Sequence, residues 1–191
     1  MDETILLPLC IESQGIVYED RNQKIQKINA VFDGFKKEYY VSDCGQRAAV
    51  VAVRKEEVLL VRQYRLLIND ISYEIPGGKV DENETLEIAA FRECLEETGI
   101  KCFHLKPLFN YHTSLETVKN YTTIFFSEEV EEIQSANQEH RVWVPLSSCL
   151  EMVMSGKITD SLSVIALLVY QYKLLNKKED TFVLTGRNVS R

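Results

Sequence analysis

Residues 77–100 decide the fold, because they combine a glycine turn with a helix whose start and end are both marked. Residues 77–84 read GGKVDENE, and residues 92–100 read RECLEETGI. Thr85 belongs to the residue types that cap a helix N-terminus, and Gly99 is suited to the left-handed position after a helix. The sequence therefore predicts a helix between Thr85 and Gly99.

Three carboxylates of this helix share one face. Glu93, Glu96 and Glu97 stand at i, i+3 and i+4, the spacing at which side chains of a helix are neighbours. Three adjacent like charges need a counter-charge, and clusters of carboxylate oxygens suit Mg²⁺ or Mn²⁺. For this cluster taken alone, a solvated acidic surface is the favoured alternative. Ile88, Phe91 and Leu95 lie away from this face and are predicted to face the core.

The rest of the chain alternates between strand and helix signals. Strand-forming residues and turn signals predict strands before the glycine turn and, after the helix, two further strands and two helices. Without a regular βαβ alternation, the expected class is α+β, or a helix–sheet–helix sandwich. The predicted strands contain Gly15–Tyr18, Ile25–Ile28, Glu38–Val41, the hairpin of Ala48–Val53 and Val58–Tyr64, Ile71–Ile75, Tyr121–Phe126 and Arg141–Val144, and the predicted helices are Leu146–Met154 and one capped by Asp160 through Leu175.

The composition of the chain limits the kinds of binding partner that are expected. The 191 residues carry a net charge of −7, which argues against a broad nucleic-acid surface, since that requires clustered lysine and arginine. No apolar stretch approaches the ~20 residues that span a bilayer. The five cysteines are odd in number and lack CxxC spacing, so neither a disulfide framework nor a zinc site is indicated. With an acidic N-terminus, these features predict a reducing, cytoplasmic compartment and no membrane association.

Residues 78–100 are similar to the Nudix box, G-x5-E-x7-R-E-U-x-E-E-x-G-U, in which U is apolar. All fixed letters are present, and Cys94 stands where a larger aliphatic residue is usual. A free cysteine packs as a small hydrophobic residue, so this departure is minor. Further stretches resemble the ADP-ribose and nucleotide-sugar pyrophosphatase branch of the Nudix hydrolases, and the similarity runs from about residue 39 to 172. These stretches are Val61–Arg65, Tyr73–Gly78 and Ser155–Asp160.

The resemblance implies an architecture and an assembly. The expected fold is a Nudix-type αβα sandwich with a mixed sheet and a small N-terminal antiparallel sheet. Residues 1–45 would form the N-terminal strands that pair with a second subunit, giving a homodimer. Residues 46–191 would form the catalytic domain.

The resemblance also assigns roles to side chains. Glu93 and Glu97 would be the principal metal ligands, Glu96 would assist, and the carbonyl of Gly77 would be a further ligand. Arg92 would pair with Glu84 to orient loop and helix. The remaining candidates are Glu139 as general base or metal ligand, with a surface position as the alternative, and Arg62, Arg65 and Glu74, which are either substrate contacts or surface strand charges.

The implied activity is metal-dependent hydrolysis of a diphosphate linkage in a small nucleotide substrate, ADP-ribose or another nucleotide sugar. The ADP-ribose enzymes usually carry a Ser-Pro-Gly-like element after the box, whereas His112–Thr117 contains neither proline nor glycine. Dinucleoside polyphosphate hydrolysis is therefore an alternative. A non-catalytic nucleotide-sugar sensor is another, although such a protein would commonly lack a glutamate or arginine of the box.

Overall fold

The computed structural model describes residues 6–21, 23–133 and 138–176. Within these ranges the chain forms eleven strands, three α-helices and a short 3-10 helix at Gln138–His140. In chain order the elements are β1 Cys10–Glu19, β2 Lys24–Phe32, β3 Phe35–Arg54, β4 Glu57–Arg65, β5 Asp70–Glu74, β6 Gly77–Lys79, α1 Leu86–Thr98, β7 Ile100–Phe103, β8 Lys106–His112, β9 Val118–Ser127, β10 Glu129–Glu132, β11 Arg141–Pro145, α2 Leu146–Met154 and α3 Ser161–Leu175.

The long strand β3 organises a nine-stranded sheet. It pairs antiparallel with β2, β4 and β6 and parallel with β9, so the sheet is mixed. β1 extends the sheet beyond β2, while β5 and β11 pair with β4, and β8 pairs with β9. β7 and β10 form a separate two-stranded sheet.

The side chains of β3 point alternately to two hydrophobic cores, one on each face of the sheet. Successive strand residues point to opposite faces, so even-numbered and odd-numbered positions face different layers. Ala48, Val50 and Ala52 pack with α1, whereas Ala49 and Val51 pack with α2 and α3. Helices therefore cover both faces of the sheet, which confirms the expected αβα sandwich.

The buried face of α1 differs from the prediction. Ala89, Ala90, Cys94 and Thr98 are buried against the sheet, whereas Ile88 is 55% exposed. Phe91 and Leu95 are only half-buried. The assignment of Ile88, Phe91 and Leu95 to the core is therefore wrong, because hydrophobicity does not identify the face that approaches β3 closely. Small side chains permit that approach, and the larger ones are left at the edge of the contact.

One strand replaces two that were expected. Glu38–Val41 and Ala48–Val53 both lie within β3, which continues across residue 45. A bulge between Asp43 and Gly45 shifts the register of β3 against β9, and Gly45 has φ +68°. A bulge accommodates an extra residue without ending the strand. The N-terminal strands β1 and β2 are thus an antiparallel extension of the main sheet.

The helix ends agree with the sequence signals. The hydroxyl of Thr85 accepts a hydrogen bond from the Ile88 amide at 3.2 Å, and Gly99 follows α1 with φ +68°. Asp160 caps α3 by accepting from the Ser163 amide at 2.9 Å. In the part of the chain that the structure describes, no helix is long and apolar enough to cross a membrane.

Candidate active site

Two glycines allow the turn before α1 to lie between the sheet and the helix carboxylates. A Cβ on Gly77 would come within 2.4 Å of the Cβ of Ala49 on β3. A Cβ on Gly78 would come within 2.3 Å of the carboxylate of Glu93. Only glycine therefore fits at Gly77, where the backbone of β3 is close, whereas at Gly78 a Cβ would displace the Glu93 carboxylate that packs on the turn.

Glu97 is held against the same turn. Its Oε2 accepts from the Gly77 amide at 3.1 Å, and its Oε1 accepts from Nε2 of Gln63 on β4 at 3.0 Å. Burial raises the pKa of Glu97, and the charges of Glu93 and Glu74 act in the same direction. This half-buried carboxylate is thus fixed in position but short of positive charge.

Arg92 links the helix to the loop that precedes it. Its guanidinium binds both carboxylate oxygens of Glu84 at 2.8 Å and donates to the carbonyl of Lys79 at 3.0 Å. It also donates to Glu93 at 2.9 Å and to Glu96 at 3.2 Å. The Glu84–Arg92 ion pair expected from the sequence is present, and these hydrogen bonds hold the pKa of Glu84 below its usual value.

The three helix carboxylates do not converge equally. Glu93 and Glu97 flank the glycine turn, but the side chain of Glu96 is 60% exposed. Among residues 6–21, 23–133 and 138–176, no three acidic, histidine or cysteine side chains are grouped closely enough to hold a metal ion. The donors nevertheless suit a hard cation, since the carboxylates of Glu93 and Glu97 both lie against the glycine turn.

Glu139 lies in the 3-10 helix before β11 with its side chain exposed. The guanidinium of Arg62 donates to its backbone carbonyl, which ties this segment to β4. Arg62 is adjacent in the chain to Gln63, the partner of Glu97. Two other residues of the expected loop, Ala136 and Asn137, lie outside the described residues.

The remaining substrate candidates bind each other. Arg65 forms a two-point ion pair with Glu74, at 2.7 Å from Nε and 2.5 Å from the terminal nitrogen. Burial opposes ionisation of Glu74, but hydrogen bonds from Arg65 and Ser72 hold its pKa below the usual value. Both side chains line a cavity beside the glycine turn.

This cavity has a volume of about 440 Å³ and includes Gly77 in its wall. Its polar lining contains residues that sequence reasoning missed, and the inward face of β9 carries the signal that could have found them. On that face Asn120 and Thr122 precede the core residues Ile124 and Phe126. A change from apolar to polar residues along one strand face marks the end of the core. The other missed residues are Arg47, Ser72, Tyr111, Thr113 and Ser161.

Comparison with known proteins finds similar sequences. The Nudix domain model matches residues 45–158. The chain is 30% identical to an ADP-ribose pyrophosphatase of Bacillus subtilis, over 65% of this chain and 71% of the relative. It is 29% identical to a GDP-mannose pyrophosphatase of Salmonella paratyphi B, over 69% and 75% respectively. It is 25% identical to a CMP-5'-(N-acetyl-N-hydroxy-3-aminopropyl)phosphonate hydrolase of Streptomyces rubellomurinus, over 68% of this chain and 65% of that relative.

Among solved structures, the fold is similar to the crystal structure of an ADP compounds hydrolase. The TM-score is 0.74 at 18% sequence identity, and the superposition covers 91% of this chain and 96% of the other. At that identity the similarity shows the fold. Together with the match over residues 45–158, it establishes that the chain belongs to the Nudix hydrolase family, as a relative of its ADP-ribose and nucleotide-sugar pyrophosphatases.

Proposed function

We propose that this protein hydrolyses the diphosphate linkage of a nucleoside diphosphate derivative, with ADP-ribose or another nucleotide sugar as the first candidate. The observation that carries the proposal is the fixed, half-buried carboxylate of Glu97 beside Glu93 and the glycine turn. Burial raises its pKa, and the nearby charges of Glu93 and Glu74 act in the same direction. A bound cation would offset this local charge, and a cation also attracts a diphosphate.

The proposed cofactor is Mg²⁺, which Mn²⁺ could replace. Glu93 and Glu97 would be the principal ligands, with Glu96 assisting and the Gly77 carbonyl as a further ligand. When bound, the divalent ion would neutralise phosphate charge and activate water for attack on phosphorus.

Other side chains would orient and transfer protons. Arg92 keeps Glu93 beside the loop through its bonds to Glu84 and Lys79, so its role is to position. Glu139 would accept a proton from the attacking water, on a segment that Arg62 ties to β4. Arg62, Arg65 and Glu74 are proposed to lie near the bound nucleotide, Arg65 and Glu74 as a pair.

The proposed assembly is a homodimer formed through the N-terminal strands. Leu7, Leu9 and Ile11 are 77%, 73% and 70% exposed in one short stretch. Contiguous exposed apolar side chains favour a protein interface. A reducing, cytoplasmic compartment is proposed as well, because Cys10, Cys44, Cys94, Cys102 and Cys149 are all free thiols.

A substrate screen tests the activity. The protein would be incubated with ADP-ribose, GDP-mannose and a diadenosine polyphosphate, each with Mg²⁺, Mn²⁺ or a chelator, and the products read by mass spectrometry. ADP-ribose should yield AMP and ribose 5-phosphate only when metal is present. In ¹⁸O-water the labelled product identifies the phosphorus attacked. Tight binding of a nucleotide sugar without turnover under any metal condition would instead establish a sensor.

A further inference from the structure

The cavity beside the glycine turn lies on the face of the sheet covered by α3, opposite the face on which α1 packs. Gly77 belongs both to its wall and to the turn that holds Glu97. A linear substrate whose diphosphate lies at the turn would therefore place one of its two halves in this cavity.

Arg47 is the uncommitted cation of the cavity. Its terminal nitrogen is 3.4 Å from the Gly77 carbonyl, a long hydrogen bond, and its buried Nε has no partner. Within the described ranges, no carboxylate forms a salt bridge with it, although its charge helps to lower the pKa of Glu74, whereas Arg65 binds Glu74 at two points. An unpaired buried donor costs stability. The half-buried guanidinium of Arg47 lies where the glycine turn meets the cavity. It is therefore suited to bind a phosphate oxygen of a ligand.

The wall behind Arg47 offers neutral hydrogen-bonding groups. Oδ1 of Asn120 accepts from Thr113 at 3.2 Å and from Thr122 at 2.7 Å. Its amide nitrogen makes no hydrogen bond to the described part of the chain, so it can donate to a ligand. Burial raises the pKa of Tyr111, so its hydroxyl keeps its proton.

These groups match sugar hydroxyls better than a nucleobase. Bases are usually bound by stacking on aromatic side chains or arginine planes. In the described lining, Tyr111 is the single aromatic residue, Arg65 is held by Glu74, and Arg47 lies at the Gly77 carbonyl. Hydroxyl and amide groups dominate the polar lining instead.

We propose that this cavity binds the phosphosugar half of the substrate, with Arg47 pairing with the phosphate and Asn120 donating to a sugar hydroxyl. The assignment of this half rests on the proposed hydrolysis of a nucleotide sugar. Arg47 is then a binding residue that selects substrates carrying a sugar phosphate. That half of the substrate would lie on the side of the glycine turn away from α1.

The test is calorimetric titration of the metal-free protein with ribose 5-phosphate and, separately, with AMP. Arg47→Met should weaken ribose 5-phosphate binding about tenfold or more, as expected for a lost charge-assisted hydrogen bond. The affinity of Arg47→Lys for ribose 5-phosphate should fall between those of the wild type and Arg47→Met, because lysine keeps the charge but lacks the planar guanidinium. Asn120→Asp, which retains the oxygens for Thr113 and Thr122, should also weaken binding. AMP affinity should change much less in all three variants.

Arg54→Met is the matched control. Arg54 lies on the same strand, seven residues or about 23 Å along it, with its guanidinium 4.2 Å above the Trp143 ring. This variant should bind ribose 5-phosphate like the wild type. Arg47→Met should melt no lower than the wild type, because it removes an unsatisfied donor. A lower melting temperature with unchanged binding would show a structural role and overturn the proposal.

The possible outcomes distinguish the proposed role of the cavity from the proposed hydrolytic activity. Wild-type protein that fails to bind millimolar ribose 5-phosphate, or Arg47→Met that loses AMP affinity instead, would refute the assignment of this half. Unchanged KM of Arg47→Met for ADP-ribose, with metal-dependent turnover intact, would refute it while leaving the proposed hydrolysis standing. Arg47-dependent binding of ribose 5-phosphate without turnover of any nucleotide sugar would support the cavity and refute the hydrolysis.

Discussion

At the scale of single residues, the site depends on where carboxylates are held. Glu93 and Glu97 are one helical turn apart, yet their surroundings differ. Glu93 is bonded to Arg92, whereas Glu97 accepts from neutral donors. Arg92 forms no hydrogen bond to Glu97, so in the proposed metal site Glu97 is the carboxylate whose charge a bound ion would offset most.

Replacing Glu97 by glutamine should lower kcat by roughly 10²–10³-fold, the scale for removing one electrostatic stabiliser of a transition state. Activity would be measured over a Mg²⁺ titration on the best substrate of the screen. Glu87→Gln, an exposed position in the first turn of α1, is the control and should be unaffected. Equal turnover by wild type and Glu97→Gln at saturating Mg²⁺ would contradict the assignment.

The Glu97→Gln variant is also expected to change the stability of the protein. Burial raises the pKa of Glu97, so its proton is bound more tightly in the folded state. Its contribution to stability is therefore present below the unfolded pKa and lost as pH rises through the folded pKa. Without metal, Glu97→Gln should melt no lower than wild type near neutral pH, and any advantage should shrink as the pH is lowered towards 4. A lower melting temperature at neutral pH would contradict this.

Glu139 is either a general base or a surface residue, and these two roles predict different effects of its replacement. If it is the general base, Glu139→Gln should reduce kcat by ~10²–10⁴-fold with a smaller change in KM. Glu131→Gln, an exposed glutamate on β10, serves as the control. Because the side chain of Glu139 is exposed, folding should be unaffected in either case. A kcat within about twofold of wild type would remove Glu139 from the mechanism and direct attention to Glu116, which lies in the segment His112–Thr117 that departs from the ADP-ribose enzymes.

At the scale of elements, the contact between the glycine turn and α1 controls the site. The turn pairs with β3 through β6, and Arg92 fastens α1 to the carbonyl of Lys79. The carboxylate of Glu93 then lies against the Cα of Gly78. The helix can therefore present its carboxylates only if this position has no side chain.

Gly78→Ala should impair activity as strongly as Glu93→Gln, because the added Cβ would meet the carboxylate at 2.3 Å and displace it. Circular dichroism should show the fold retained, since the nearest atoms belong to one side chain and not to the backbone. Metal affinity would be compared in both variants by calorimetry. Wild-type metal affinity in Gly78→Ala would show that Glu93 moves without functional consequence.

At the scale of the whole molecule, β1 and β2 extend the sheet beyond the part that carries the site. β1 is exposed along its whole length, and apolar residues just before and within it are solvent-accessible. A strand in this position buries little apolar surface within one chain. A second subunit is the simplest means of covering it.

Light scattering at micromolar concentration should therefore give the mass of a dimer. The double variant Leu9→Asp, Ile11→Asp should be monomeric, because it places charges in the apolar patch. Met154→Asp changes a residue of α2 that is 81% exposed, and it should remain dimeric. A monomeric wild-type protein would contradict the proposed interface.

The sequence by itself determined the local part of this protein. The Glu84–Arg92 pair was expected from the family resemblance. The caps at Thr85 and Gly99 and the positions of Glu93 and Glu97 depend on short separations along one helix. Helix geometry fixes such separations, so a pattern of letters was enough to predict them. The αβα sandwich followed from the family resemblance that the same letters carry.

Only the tertiary structure decided which face of α1 is buried, and that β3 is a single strand across its bulge. β7, β8 and β10 were not expected at all. The cavity is assembled from β3, β5, β8, β9 and the start of α3, whose residues are far apart in sequence. Their meeting depends on the register between strands, which is set by packing across the whole sheet. The polar positions Asn120 and Thr122 mark where the core ends on β9, but no local pattern shows that Arg47 and Asn120 meet, so the cavity itself could not be read from the sequence.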